Sequence, residues 1–173
     1  EFESPRRFTD WIKLITFAKG IWTDADFALS WRKGAQMLLK TGTTTVGDIE
    51  AVPDLLPDAW NWTPLRVLSF LEMTGIRARR HPADILNEAV QRIAKLKHPR
   101  CKAWLSPHAP YSTLPELLQL STRTARRRRW RVTTHVAESD QEFEMFMHAQ
   151  GEMHDWLQRN ERDMSDCNGV SPV

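Results

Sequence analysis

The feature that most limits what this chain can become is an alternation of short β-branched or apolar runs with longer amphipathic segments. Gly42-Thr43-Thr44-Thr45-Val46-Gly47-Asp48-Ile49 is the first run. Its β-branched side chains lose χ1 freedom in a helix, so it reads as a buried strand. Leu65–Met73, Cys101–Ser106 and Trp130–Val136 repeat the pattern. Between the runs, apolar residues recur at helical spacing. Phe27, Leu29, Trp31, Ala35, Leu38 and Leu39 mark a helix over Asp24–Leu39, and Leu86, Ala89, Val90, Ile93 and Leu96 mark one over Pro82–Lys97. Thr113 followed by Glu116 reads as a capping box that opens a helix towards Arg129. Asp140–Ala149 reads as a further helix with Phe143, Phe146 and Met147 inward. Glu50–Thr63, with two prolines, reads as a loop carrying one helical turn at most, and the chain beyond Gly151 frays apart from a turn around Trp156 and Leu157.

Four strands alternating with helices, at spacings long enough for crossovers, make repeated βα units on a parallel sheet. A doubly wound sheet closes within 173 residues, whereas a (β/α)8 barrel needs about 250, so length favours the former. Against it, no glycine-rich fingerprint follows the first strand and there is no P-loop. The polar residues gather just past the C-terminal ends of strands, where both architectures bind ligands.

A net charge of +2 gives no bulk electrostatic case for nucleic acid or an anionic membrane. The basic cluster Arg126–Arg129 with Arg131 sits at a helix end, where cations complement the dipole, so no nucleic-acid partner is expected. Two cysteines without close spacing, Cys101 and Cys167, fit a reducing compartment without disulfides. No apolar run could act as a signal or a membrane span. The expectation is one cytoplasmic domain over residues 1–173 with no membrane partner.

Two constellations could carry chemistry. In Thr134-His135-Val136-Ala137-Glu138-Ser139, a histidine at a strand end is followed three residues later by a carboxylate. That pattern can place an imidazole on a metal with a proton carrier beside it. From spacing alone, it more simply suits a His135 bonded to a neighbouring carbonyl and a Glu138 capping the next helix. In Ser106-Pro107-His108-Ala109-Pro110-Tyr111-Ser112, two prolines hold the backbone around His108. His108 is then either a substrate contact or a solvated loop residue. Of the tryptophans, only Trp60 and Trp62 lie in a loop after a strand, where a planar substrate could stack. Trp11, Trp22 and Trp31 read more simply as packing.

Taken in order, the Gly42–Asp48, Ser106–Ser112 and Thr134–Ser139 blocks resemble the amidohydrolase superfamily, in the branch of the S-adenosylhomocysteine, guanine and cytosine deaminases and the triazine chlorohydrolases. The resemblance implies a (β/α)8 barrel and one divalent metal, zinc or iron, at its C-terminal mouth. It makes His135 the fifth-strand metal ligand, Glu138 the proton shuttle and His108 a substrate contact from the fourth strand. It further implies hydrolysis of a C–N bond in a cyclic amidine, with a purine, pyrimidine or triazine ring as the small-molecule substrate.

The departures from that pattern are equally specific. The chain contains no His-x-His pair, and Glu1-Phe2-Glu3 resembles the residues that directly follow it in relatives. Gly169-Val170-Ser171-Pro172-Val173 resembles the stretch before the sixth strand. The expected fold is therefore a partial (β/α)8 barrel, strands two to five with their helices. One ligand of four cannot hold a catalytic metal, so this chain alone is expected to be inactive, and open sheet edges favour a homo-oligomer. The alternative function is a non-catalytic remnant or interaction module that kept the half-barrel.

Overall fold

The structure is a computed structural model, and it describes residues 7–76 and 80–173. Glu1-Phe2-Glu3, matched above to the residues after the first-strand pair, lies outside the described residues. In chain order the elements are α1 (Phe8–Gly20), α2 (Asp24–Lys40), β1 (Thr45–Glu50), α3 (Leu56–Trp62), β2 (Arg66–Met73), α4 (Pro82–Lys95), β3 (Lys102–Pro107), α5 (Pro115–Arg128), α6 (Asp140–His148) and α7 (Glu152–Arg159). The strands form a parallel sheet in the order β1-β2-β3, with Asp48 beside Ser69 and Glu72 beside Ser106. Each parallel neighbour is reached through a helix, as parallel pairing requires.

Side chains alternate across the sheet. Val67, Ser69, Leu71 and Met73 of β2 are buried, and Ala103 and Leu105 of β3 join them. Ile85, Leu86, Ala89 and Ile93 of α4, with Leu56 and Trp60 of α3, close over that face. On the opposite face Leu68, Phe70 and Trp104 are half-buried and Ile49 is exposed. A smaller second core gathers Tyr111 with Met145, Phe146, Met153 and Leu157 of α6 and α7.

Several expectations from the sequence are corrected. Glu50–Thr63 is mostly helical: a 3-10 turn at Pro53–Leu55 runs into α3. Its prolines occupy first-turn positions, where the missing N–H has no partner to lose, and Leu56, Ala59 and Trp60 form the buried stripe. Trp60 is therefore core, 2% exposed, with its indole N–H donating to Ser69 Oγ at 3.2 Å. Trp62, under the Arg32 guanidinium, lies just ahead of the N-terminal end of β2. Neither lines the mouth.

The Thr113–Glu116 box does not form. Thr113 Oγ1 donates instead to the Ala109 carbonyl at 2.8 Å, and α5 starts after Leu114 with no side-chain cap because Pro115 fills its first turn. Trp130–Val136 runs beside β3 without becoming a full strand, joined by a single parallel bridge between Val132 and Leu105. On α6 the inward residues are Met145 and Phe146, while Phe143 and Met147 remain over a third exposed. Beyond Gly151 the chain forms α7, whose Met153 and Leu157 stand four apart and fill the second core.

Helix α1 had no clear signal, because its Ile, Thr and aromatic residues carry little helix propensity. Tertiary contacts hold it: Phe8 and Ile12 pack on the second core, and Lys13 Nζ meets Glu152 of α7 at 2.6 Å. Cys101 and Cys167 are both buried free thiols.

Candidate active site

Backbone hydrogen bonds bring three βα units to one point. The His108 N–H donates to the Met73 carbonyl at the end of β2 at 3.0 Å, and the His108 carbonyl accepts the His135 N–H at 2.7 Å. Thr134 Oγ1 donates to the same carbonyl at 3.2 Å. Continuing the Leu105–Val132 bridge up the chain places His108 opposite His135, and the two imidazoles meet edge to face with ring centroids 5.1 Å apart. His135 Nδ1 lies 3.6 Å from Glu138 Oε1. No hydrogen bond among the described residues uses His135 Nε2.

His108 is tightly oriented. Its Nδ1 is 2.5 Å from Ser112 Oγ, and Ser112 in turn donates to the Ala109 carbonyl at 3.2 Å. With the hydroxyl proton given to that carbonyl, the imidazole proton sits on Nδ1 and Nε2 is left as an acceptor. Burial, above all, holds the His108 pKa below the ordinary imidazole range. The Glu72 charge opposes that shift and the neighbouring His135 adds to it. The lowered pKa favours the neutral ring, in which Nε2 can accept a hydrogen bond.

Tyr111 stands edge-on against His108, its ring centroid 5.7 Å away. Burial, and after it the charge of Glu138, push its phenol well above the usual range, so it stays a proton donor. Glu72 reaches the same region from β2. Behind Glu138, the wholly buried Glu142 accepts the Glu138 N–H at 2.8 Å.

A buried guanidinium ties this loop down. Arg162, 3% exposed, donates to the carbonyls of Tyr111 at 2.8 Å and Pro110 at 2.9 Å. It pairs in a fork with both oxygens of Asp166, at 2.7 and 2.8 Å. Its donors thus tie the Pro110–Thr113 turn, which follows His108, to the segment around Arg162.

His135, Glu138 and His108, separated in the sequence, thus converge. Tyr111 was legible only as part of the proline-bracketed block, and Glu142 only as an acid one helical turn past Glu138. Arg162 carried no local signal for its grip on this loop, because the carbonyls it binds lie about fifty residues away. The bland reading of Glu138 as a helix cap is set aside: Ser139 caps α6, with its Oγ accepting the Glu142 N–H at 3.2 Å.

The donor set fits a metal only in part. His135, with Nε2 free and a carboxylate beside Nδ1, suits a single ligand position. Among the described residues no three His, Cys, Asp or Glu side chains converge as a cation cage.

Three parallel strands joined through helices match part of a (β/α)8-barrel fold. Solved structures agree: an adenosine deaminase from Xanthomonas campestris with bound zinc superposes with a TM-score of 0.71 at 16% identity, over 91% of this chain and 37% of that one. Helicobacter pylori aminofutalosine deaminase in complex with methylthio-coformycin gives 0.63 at 25% identity, over 81% and 34%. Residues 3–166 match the Amidohydrolase family, and the chain belongs to it. A 5-methylthioadenosine/S-adenosylhomocysteine deaminase of Nitratidesulfovibrio vulgaris is 31% identical over 112 residues, 63% of this chain and 26% of the relative. The chain thus spans about a quarter of that relative's length. No helix among the described residues is long and apolar enough to cross a membrane.

Proposed function

We propose that this chain carries the fourth- and fifth-strand part of the active site of a metal-dependent hydrolytic deaminase that acts on a purine-type cyclic amidine. The observation that carries the reading is the meeting of His108, His135 and Glu138 across two βα units. Family membership and the likeness to named deaminases support it.

In this reading His135 supplies one ligand to a zinc or iron ion, alongside donors that the described residues do not provide. When bound, such an ion lowers the pKa of water from 15.7 towards about 7. Glu138 takes one proton of the attacking water and delivers it to a ring nitrogen as the oxygen bonds to the ring carbon. The remaining hydroxyl proton then passes to the amino group, the C–N bond breaks, and ammonia leaves a ring carbonyl behind. His108, held neutral with Nε2 free to accept, binds a ring or exocyclic N–H of the substrate and orients it. Tyr111, a protonated donor beside Glu138, helps to hold that carboxylate in place.

The test uses the complete protein. Ammonia release is measured with adenosine-type, guanine and cytosine substrates, together with metal content. Deamination of a purine substrate with one equivalent of zinc or iron is expected. Glu138→Gln should lower kcat by about 10²–10⁴-fold while metal is retained, and His135→Ala should lose the metal. Full metal content in His135→Ala, or full activity in Glu138→Gln, refutes the assignment of that residue. A complete protein that holds no metal and releases no ammonia is instead the non-catalytic remnant.

A further inference from the structure

We propose that Glu142 is a positioning residue: its buried carboxylate clamps the backbone at Glu138 and so fixes where the Glu138 side chain stands beside His135. The proposal rests on the role given to Glu138 above.

Glu142 lies in the first turn of α6 with no solvent exposure. Its Oε2 accepts the Glu138 N–H at 2.8 Å, and its own N–H donates to Ser139 Oγ. An acid at this place ordinarily returns its carboxylate to the N-cap amide. Here it reaches one residue further back, to the residue that carries the acid of the site.

The turn it holds needs holding. Ala137 has φ 56, in the left-handed region, which side chains other than glycine resist and which persists only where the surroundings over-determine it. Glu138 follows directly, so a relaxed Ala137 would swing its side chain. Helix capping alone does not explain the burial. Glu116, the acid in the first turn of α5, serves its helix from solvent, whereas Glu142 bears the desolvation of a carboxylate whose Oε1 has no hydrogen-bond partner among the described residues. A buried, well-packed clamp is what a fixed geometry 3.6 Å from His135 demands, since misplacing a reacting group by about 1 Å can lower a rate on the order of 10²-fold.

The experiment compares Glu142→Ala, Glu142→Asp and Glu142→Gln in the complete protein, with Glu138→Gln as reference. Two quantities are read: hydrogen exchange at the Glu138 amide, and kcat and KM for purine deamination. Glu142→Ala should speed exchange at that amide at least tenfold and lower kcat by about 10²-fold, with KM changed less than threefold. Glutamine still offers an oxygen to the amide and should restore kcat to within fivefold of the parent. If Glu142→Ala does not fold, Glu142→Asp, one methylene shorter, should show the same pattern in weaker form. Unaccelerated exchange in the variants overturns the clamp whatever the reaction. Accelerated exchange with unchanged kcat, in a protein that Glu138→Gln inactivates, overturns the positioning role and leaves the proposed function standing. Activity retained in Glu138→Gln is the failure of the functional reading, and the positioning role falls with it.

Discussion

His108 and His135 stand edge to face, 5.1 Å apart, because the carbonyl of the first accepts the backbone N–H of the second at 2.7 Å. Their proximity is set by main chain, so it does not depend on either imidazole. Removing the His108 ring should therefore leave His135 in place. In the proposed deaminase, His108→Ala in the complete protein is expected to raise KM for the proposed purine substrate about tenfold, the loss of roughly 1.4 kcal/mol of binding, with any bound metal retained. Loss of metal in this variant would show that the two rings act as one unit.

Arg162 predicts a stability effect far larger than a surface charge could give. Arg162→Met leaves the Asp166 carboxylate without the guanidinium that grips both its oxygens, and it strips donors from the Tyr111 and Pro110 carbonyls. Breaking such a buried pair costs about 3–5 kcal/mol, to be read as a lowered urea midpoint. Arg162→Lys keeps a charge without the planar fork and should recover only part of the loss.

Ser69 links two tryptophans through one hydroxyl. It accepts the Trp60 indole N–H at 3.2 Å and donates to Asp48 Oδ2 at 3.5 Å, the oxygen that also accepts from Trp31 at 3.3 Å. Ser69→Ala orphans the buried Trp60 donor and should destabilise by about 1–3 kcal/mol in urea unfolding. Trp60→Phe in the same background should then cost little further, a non-additivity that unlinked residues would not show.

Asp48 sets a pH dependence of known sign. Burial raises its pKa above 3.8, with the bonds from Trp31 and Ser69 opposing the shift. A carboxyl whose folded value is raised contributes stability that is full below its unfolded pKa and is lost as pH climbs through the folded value. Asp48→Asn removes this dependence, so variant minus parent stability should increase as pH rises from about 4 to 7. A constant difference across that range would exclude ionisation of Asp48 as the cause.

The helices and strands legible in the sequence are those with an apolar stripe towards the core, although on α2 only Ala35 of that stripe is buried and Leu29 is exposed. Over Pro82–Lys95, Leu86, Ala89 and Ile93 of the expected stripe bury and Ile85 joins them, while Val90 stays half-buried, and β2 alternates as its side chains demand. Trp60 was not legible as core, because a loop-like composition around it hides a helical stripe. The Trp130–Val136 run carries strand residues, yet forms only one bridge, because a strand needs partners as well as propensity.

By itself the sequence determined the parallel βα order, the family, and the placing of His108, His135 and Glu138 near strand ends, since spacing and residue type are local properties. Tertiary structure alone decided that Tyr111 and Glu142 stand around Glu138, that Ala137 is left-handed, and that Arg162 anchors the His108 loop from about fifty residues away. Those relationships are hydrogen bonds and buried charges formed between distant segments. Their energy comes from desolvation and fixed geometry, which exist only once the segments have been brought together.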